Sequence, residues 1–276
     1  MAIQLEYTAE TNVPVEVEGV VPDVLRRLSL DEIRRHKIFH GNCEIELAEM
    51  FEVRGDPTDG QMHWQGDLTG VHWIGAKMTS GSVIVHGGAG RHVGSDMAGG
   101  TIDVLGDAGD WVGGEMHGGR IHVRGRAGHL VGAAYRGSPC GMTGGTILID
   151  GDVGNEIGHT MRRGLLAVGG EAGDLVGFNM LAGTILILGN AGIRHGAGMR
   201  RGTIGLFGDD PPPLLPSFRY GCQYDPPVLK LIFHQLRRLE FDMPAALWNT
   251  EYKLFHGDQI EGGRGEILIP AGVRAQ

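Results

Sequence analysis

An all-β solenoid is the fold class this sequence predicts, and three observations carry the prediction. Glycine supplies 49 of the 276 residues, far above the usual share of about 7%. A unit of 19 residues recurs through the middle of the chain, reading G-x-x-V-G-x-x-M-x-x-G-T-I-x-V-x-G-x-A. Inside each unit a short stretch alternates apolar and polar, the pattern of a half-buried strand. Disordered glycine-rich chains lack Ile, Val and Leu, whereas here those residues return at fixed spacing.

The clearest copies open at Gly90, Gly109 and Gly173. The opening glycines Gly90, Gly109, Gly128, Gly154, Gly173 and Gly192 lie 19 apart, except for one step of 26. That step holds a seven-residue insert within 133–141, and a looser copy begins at Gly70. Met78, Met97, Met116, Met142, Met161, Met180 and Met199 keep the same phase. Ile102 and Val104 share one strand face, as do Ile121 with Val123, Ile147 with Ile149, and Ile185 with Ile187. A unit this short cannot bury its own apolar face, so unit must stack on unit. About seven coils over 66–208 follow, with columns of Met, of Val/Ile, and of the paired strand residues. Nineteen does not fit a six-residue helical repeat. Asp107, Asp110 and Asp152 recur too irregularly for a calcium β-roll.

Residues 1–65 break the repeat and predict a small α+β cap, which a strand ladder needs to shield its end. IQLEY and VPVEVEG read as two strands of a hairpin, and 22–38 as a helix with a Ser–Glu cap signal in SLDEI. The alternating stretch 44–53 leads into the first coil. Pro211, Pro212, Pro213 and Pro216 end the solenoid and open a C-terminal extension over 209–276. Its helix, 228–241, places Val228, Ile232, Leu236 and Leu239 on one face. That helix is expected to fold back over the last coil or the rod side. GEILIPA predicts a closing strand.

A net charge of −9 argues against nucleic acid as a main partner. The N-terminus has no basic and apolar signal regions, and no stretch approaches the roughly 18 apolar residues of a membrane span. Cys43, Cys140 and Cys222 form no CxxC and no disulfide framework. A cytoplasmic protein is expected.

No catalytic constellation emerges. The 13 histidines are scattered, without HxH or HExxH. No glycine run matches a phosphate loop, and the glycines recur with the coil. His122 and Asp103 fall at outward strand positions. Three breaks in the repeat remain. The insert carries Tyr135, Arg136 and Cys140, and inserts in solenoids emerge as surface loops that often touch partners. Arg162, Arg163, Arg200 and Arg201 take the same place in units two apart, forming an edge suited to carboxylates. His195 stands in an inward Val column and is expected to be a hydrogen-bonded core residue rather than a ligand.

The unit resembles the GXGXG β-helix shared by two groups, the C-terminal domain of the large chain of glutamate synthase and the C subunit of formylmethanofuran dehydrogenase. The chain length, PPPLLPSFRYG, LKLIFHQLRRLEF and GEILIPA resemble that C subunit, in particular its bacterial relative in the formyltransferase/hydrolase complex. The resemblance implies a right-handed parallel β-helix and a non-catalytic scaffold subunit without cofactor or metal of its own. It implies A, B and D partner subunits, with an amidohydrolase-like, metal-bearing A subunit and a formyltransferase D subunit. The implied complex moves a formyl group from tetrahydromethanopterin to a furan-type carrier and releases formate. Such carriers bear glutamate chains, which the arginine edge, Tyr135 and Arg136 are placed to meet. Two alternatives stay open: the C subunit of a molybdenum or tungsten dehydrogenase, and an ammonia-channelling domain of the glutamate synthase kind.

Overall fold

Every T-I-x-V stretch folds as a short strand because its alternate residues have an apolar side to bury. In the computed structural model, which describes residues 2–272, the chain is mostly β, with a long, largely parallel sheet and few helices. The N-terminal part contains β1 (Ile3–Tyr7), β2 (Val15–Glu16), α1 (Pro22–Leu25), α2 (Leu30–Arg34), β3 (Lys37–His40), β4 (Cys43–Glu46) and β5 (Phe51–Arg54). The central strands are β6 (Gln61–Gln65), β7 (Val71–His72), β8 (Ser82–Val85), β9 (Thr101–Val104), β10 (Arg120–Val123), β11 (Thr146–Ile149), β12 (Leu165–Val168), β13 (Thr184–Ile187) and β14 (Gly202–Leu206). The chain closes with β15 (Arg219–Tyr224), α3 (Pro227–Arg238), β16 (Tyr252–Gly257) and β17 (Gly265–Pro270).

Strands β8 to β14 pair in parallel and in chain order, like residue beside like. Ile102 lies beside Ile121, Ile121 beside Ile147, and Ile185 beside Ile204. The insert is absorbed without a slip. A second ladder of single bridges runs through Leu68, Ala89, Ala108, Ala127, Val153, Ala172 and Ala191. Each unit therefore bonds to the next at two places at least. The seven phased methionines are fully buried, as are the inward strand residues. Each Met methyl lies under a glycine of the following unit. At Gly119, with φ +88°, a Cβ would stand 2.7 Å from both Met97 Cε and the Gly100 carbonyl oxygen. This position therefore needs glycine on steric and backbone grounds alike.

The ends differ from the sequence reading. IQLEY and VPVEVEG do not form a hairpin. β1 pairs antiparallel with β5 and parallel with β6, while β2 joins β3 and β7 in a separate four-stranded sheet. The predicted helix over 22–38 is two short helices followed by β3. The Ser29 capping box starts the second: Ser29 Oγ accepts from Glu32 N–H, and the Glu32 carboxylate accepts from Ser29 N–H at 2.8 Å. The stretch 44–53 is β4, a 3-10 turn and β5, and it does not lead directly into the repeat. These are long-range pairings, and local pattern carries no record of them.

At the other end β17 continues the ladder, pairing in parallel with β14. β16 and β15 follow antiparallel, giving a 13-stranded sheet whose order ends β14-β17-β16-β15. The helix folds back on the side of the units, as expected, and Leu236, Ile232 and Leu239 of the expected face pack there, but the buried face turns to include Leu229 and Phe233 in place of Val228. Leu229, Phe233 and Leu236 are buried, whereas Val228 is 54% exposed. They cover the outward residues Leu148, Leu165, Ala167, Leu186 and Phe207. Phe233 meets Phe207 edge-on at 6.1 Å. Each large side chain buried this way contributes about 1.5–3 kcal/mol.

Candidate functional site

The insert does not hang free. Tyr135 turns back across the preceding units and lies against Trp73, His92 and Trp111, with ring centroids 5.6–6.2 Å away. Those three rings occupy the same place in successive units. Trp73 and His92 stack at 4.1 Å, His92 and Trp111 at 5.6 Å. The Tyr135 hydroxyl donates to Ser95 Oγ at 2.7 Å, and Ser95 Oγ donates to the Trp111 carbonyl at 3.3 Å. With that hydroxyl proton committed, His92 Nδ1–H donates to Tyr135 at 3.0 Å. Burial lowers the His92 pKa to about 4, assisted by His72 and Arg91, so the ring is neutral. Burial also pushes the Tyr135 phenol up to about 12. A turn closed by Ser138 N–H on the Tyr135 carbonyl leaves Arg136 exposed at the tip, while Cys140 is half-buried. The 19-residue spacing of Trp73, His92 and Trp111 is the sequence signal for this aromatic column.

Arg162, Arg163, Arg200 and Arg201 are all exposed, in the turns that follow Met161 and Met199. The turns stack, since Arg162 N–H bonds to Met142, Leu181 N–H to Met161 and Arg200 N–H to Met180. Arg200 is already engaged, its Nε donating to Glu261 at 3.2 Å. His195 is 3% exposed. Its Nδ1 accepts from Val176 N–H at 3.2 Å, so its Nε2–H donates to the Gly192 carbonyl at 2.9 Å. Burial lowers its pKa and keeps it neutral, a hydrogen-bonded core histidine as expected.

His122 needs an account that its outward position hides. It is fully buried, its Nε2 donates to Asp150 Oδ1 at 2.7 Å, and Phe241 covers it at 6.3 Å. Asp103 pairs with Arg120 at 2.8 Å. The irregular corner acids also have a role. Asp107, Asp110, Asp152, Asn155 and Asp174 each accept a backbone N–H from the next unit at 2.7–2.9 Å. The opening glycine of the next unit must leave room for this. At Gly128 a Cβ would lie 2.2 Å from Asp110 Oδ1.

Among the described residues no three His, Cys, Asp or Glu side chains converge on a metal-sized site. No helix among them is long and apolar enough to cross a membrane. A cavity of about 450 Å³ opens between the unit corners and the C-terminal extension, against Leu188, Asn190, Phe207, Asp209, Leu247 and Thr250.

Fold and sites together define a stacked-repeat β protein whose recurring columns serve packing and backbone capping, with its irregular features gathered at the insert, the arginine turns and the C-terminal cover. A solved structure that matches nearly the whole chain is the formyltransferase/hydrolase complex FhcABCD from Methylorubrum extorquens, determined with methylofuran. The match has a TM-score of 0.90 and 31% identity, over 97% of this chain and 99% of that one. Curated relatives match a shorter stretch. The C subunit of tungsten-containing formylmethanofuran dehydrogenase 2 from Methanothermobacter wolfeii is 39% identical over 88 residues, 30% of this chain and 33% of the relative. The C subunit of molybdenum-containing formylmethanofuran dehydrogenase 1 from Methanothermobacter thermautotrophicus is 40% identical over 91 residues, 33% of this chain and 23% of the relative. The chain thus spans a third or less of the length of these curated relatives. No family model matches. The chain belongs to the family that holds the C subunit of formylmethanofuran dehydrogenase and the matching chain of the formyltransferase/hydrolase complex.

Proposed function

We propose that this chain is a non-catalytic scaffold subunit of a formyltransferase/hydrolase complex. In this reading the complex passes a formyl group from tetrahydromethanopterin to a furan-type carrier and releases formate, in cytoplasmic one-carbon metabolism. The observation that carries it is the end-to-end match to a chain of such a complex. The stacked units are read as a right-handed parallel β-helix over 66–208, with a cap over 1–65 and an extension over 209–276. Sequential parallel pairing in two ladders supports that reading. The partners are the amidohydrolase-like A, the B and the formyltransferase D subunits, and the chain itself holds no cofactor.

Arg162, Arg163, Arg200 and Arg201, with Arg136 at the insert tip, are assigned to a carboxylate-rich carrier chain or partner. Tyr135 positions Arg136 rather than making the contact. The exposure of all five arginines supports this assignment, as does the match of the guanidinium fork to carboxylates.

Affinity purification of the tagged chain from its own cells, followed by mass spectrometry, tests the central reading. Co-purification of A-, B- and D-type subunits with formyl transfer is expected. Recovery with a glutamine amidotransferase, or of the chain alone, contradicts it. The curated relatives favour one second reading, a molybdenum or tungsten dehydrogenase. Stoichiometric molybdenum or tungsten in the purified complex supports that reading instead.

A further inference from the structure

The arginine turns continue where the repeat has ended. Strand β17 takes the place of a further unit beside β14, with Gly265 next to Gly202 and Glu266 next to Thr203. The methionine contacts agree with that register. A Cβ at Gly202 would stand 2.8 Å from Met180 Cε, and one at Gly265 would stand 2.7 Å from Met199 Cε. The residue before the glycine in successive units is Arg163, Ala182, Arg201 and finally Arg264. Arg264 therefore stands one rung from Arg201, about 4.8 Å on, while Arg163 lies two rungs back, about 10 Å away. Earlier units carry Gly99, Gly118 and Gly144 at this place, so the fold itself does not call for arginine there.

The column is charged and uncompensated. Arg163, Arg201 and Arg264 are all exposed. Among the described residues none of the three has an ion-pair partner, although the chain holds 33 acidic residues. Like charges on neighbouring strands repel. An anion lying along the column removes that repulsion.

A carboxylate already reaches this edge from within the chain. Glu261 accepts from Arg200 Nε at 3.2 Å. It ends a 3-10 turn, Gln259–Glu261, that Asp258 holds in place. Asp258 Oδ2 accepts from Gly198 N–H at 3.1 Å, and its Oδ1 from Ile260 N–H at 3.0 Å. Asp258 is buried, so the turn is anchored. The ion pair itself is open to water, with Arg200 62% and Glu261 37% exposed. Exposed pairs of this kind are weak and easily exchanged. Glu261 thus occupies one arginine of the edge with the very group the edge is suited to take.

We propose that Arg163, Arg201 and Arg264 form one column that binds an extended polycarboxylate chain, and that Glu261 is its internal competitor, leaving Arg200 as the ligand binds. The proposal rests on the reading of the arginine turns as a carboxylate site. It adds a residue from the C-terminal extension and an acid that tunes the affinity. Each guanidinium fork matches one carboxylate, and a column of about 15 Å needs a chain rather than a single small anion.

Fluorescence anisotropy of labelled decaglutamate on the full chain at low salt tests this, beside inorganic polyphosphate of matching charge. Arg264→Glu should weaken decaglutamate binding about tenfold, as should Arg163→Glu and Arg201→Glu. Glu261→Gln should strengthen it about two- to fivefold, the range that loss of an exposed competing pair allows. Thermal melts that match the parent chain separate lost contacts from lost folding. Binding that ignores Arg264→Glu overturns the column and leaves the assignment of the other arginines standing. No binding at all overturns both. Unchanged or weaker binding by Glu261→Gln removes the competitor, and equal affinity for polyphosphate overturns the carboxylate claim.

Discussion

The outward faces of β8 and β9 and of β11 to β13 are built on the same unit, yet one meets solvent and the other is interior. On the first half the outward residues are Ile84 and Asp103, followed by Leu105 at 51% exposure. On the second they are Leu148, Ala167 and Leu186, all fully buried under α3 and the segment that follows it. The strand sequences differ to match. TIDV alternates, whereas TILI and LLAV are apolar on both faces, the mark of a strand covered on both sides. At the seam between the halves stands β10, where His122 bonds Asp150 and Arg124 reaches both Asp150 and Glu240. The unit repeat thus fixes the inward columns, and the outward residues record which units the C-terminal extension covers.

Substitutions break this comparison most strongly on the covered half. Leu186→Asp buries a carboxylate beneath Phe233 with no partner and should cost about 3–5 kcal/mol in chemical denaturation. Leu105→Asp, on the open half, should stay within about 0.5 kcal/mol. Equal effects would mean that the cover does not hold in solution. Phe233→Ala should cost about 3–5 kcal/mol by leaving a cavity against Phe207 and Trp248.

A smaller effect sharpens the account of the corners, which both halves share. Gly128→Ala should destabilise by about 1–3 kcal/mol, since its Cβ would strike Asp110 Oδ1. In an Asp110→Ala background the added loss should be smaller, and a double-mutant cycle reads that coupling. An additive cycle would remove Asp110 from the explanation.

The smallest effect is a pH dependence to which His92, on the open half, contributes alongside other histidines whose pKa burial lowers, His195 among them. His92 has a folded pKa of about 4, below its ordinary value of 6.5. The unfolded chain therefore binds the proton first, and stability falls as pH drops from 6.5 towards 4. The contribution is fully present above 6.5 and gone below about 4. His92→Gln should flatten that part of the stability profile, measured by thermal melts across pH. An unchanged slope would place its origin elsewhere.

The repeat is legible because every unit repeats the same local chemistry, down to the methionine and its glycine. Other features are hidden because their cause lies in another unit or another segment. The corner acids look irregular since Asp, Asn and His all accept the N–H of the next unit equally well. His129 takes the role at Asn155, and His72 at Arg91. The buried face of α3 keeps Leu236 of the stripe that spacing selects, with Ile232 and Leu239 at its border, and adds Leu229 and Phe233 in place of Val228. VL and IF place two apolar stripes side by side, and packing against Phe207 selects the stripe with Phe233. His122 looks like a solvated outward residue because the sequence does not say that Phe241 returns to cover it. Tyr135 has the look of a contact residue, but it anchors the insert. Its partners lie 40 and 43 residues back, at Ser95 and His92.

Hydrogen exchange, compared between the full chain and a version ending at Gly208, tests the central contrast most directly. Removing β17, α3 and their connections should expose the outward faces of β11 to β14. The amides of those strands should lose protection, while those of β8 and β9 keep theirs. Equal protection across the ladder after truncation would contradict the account.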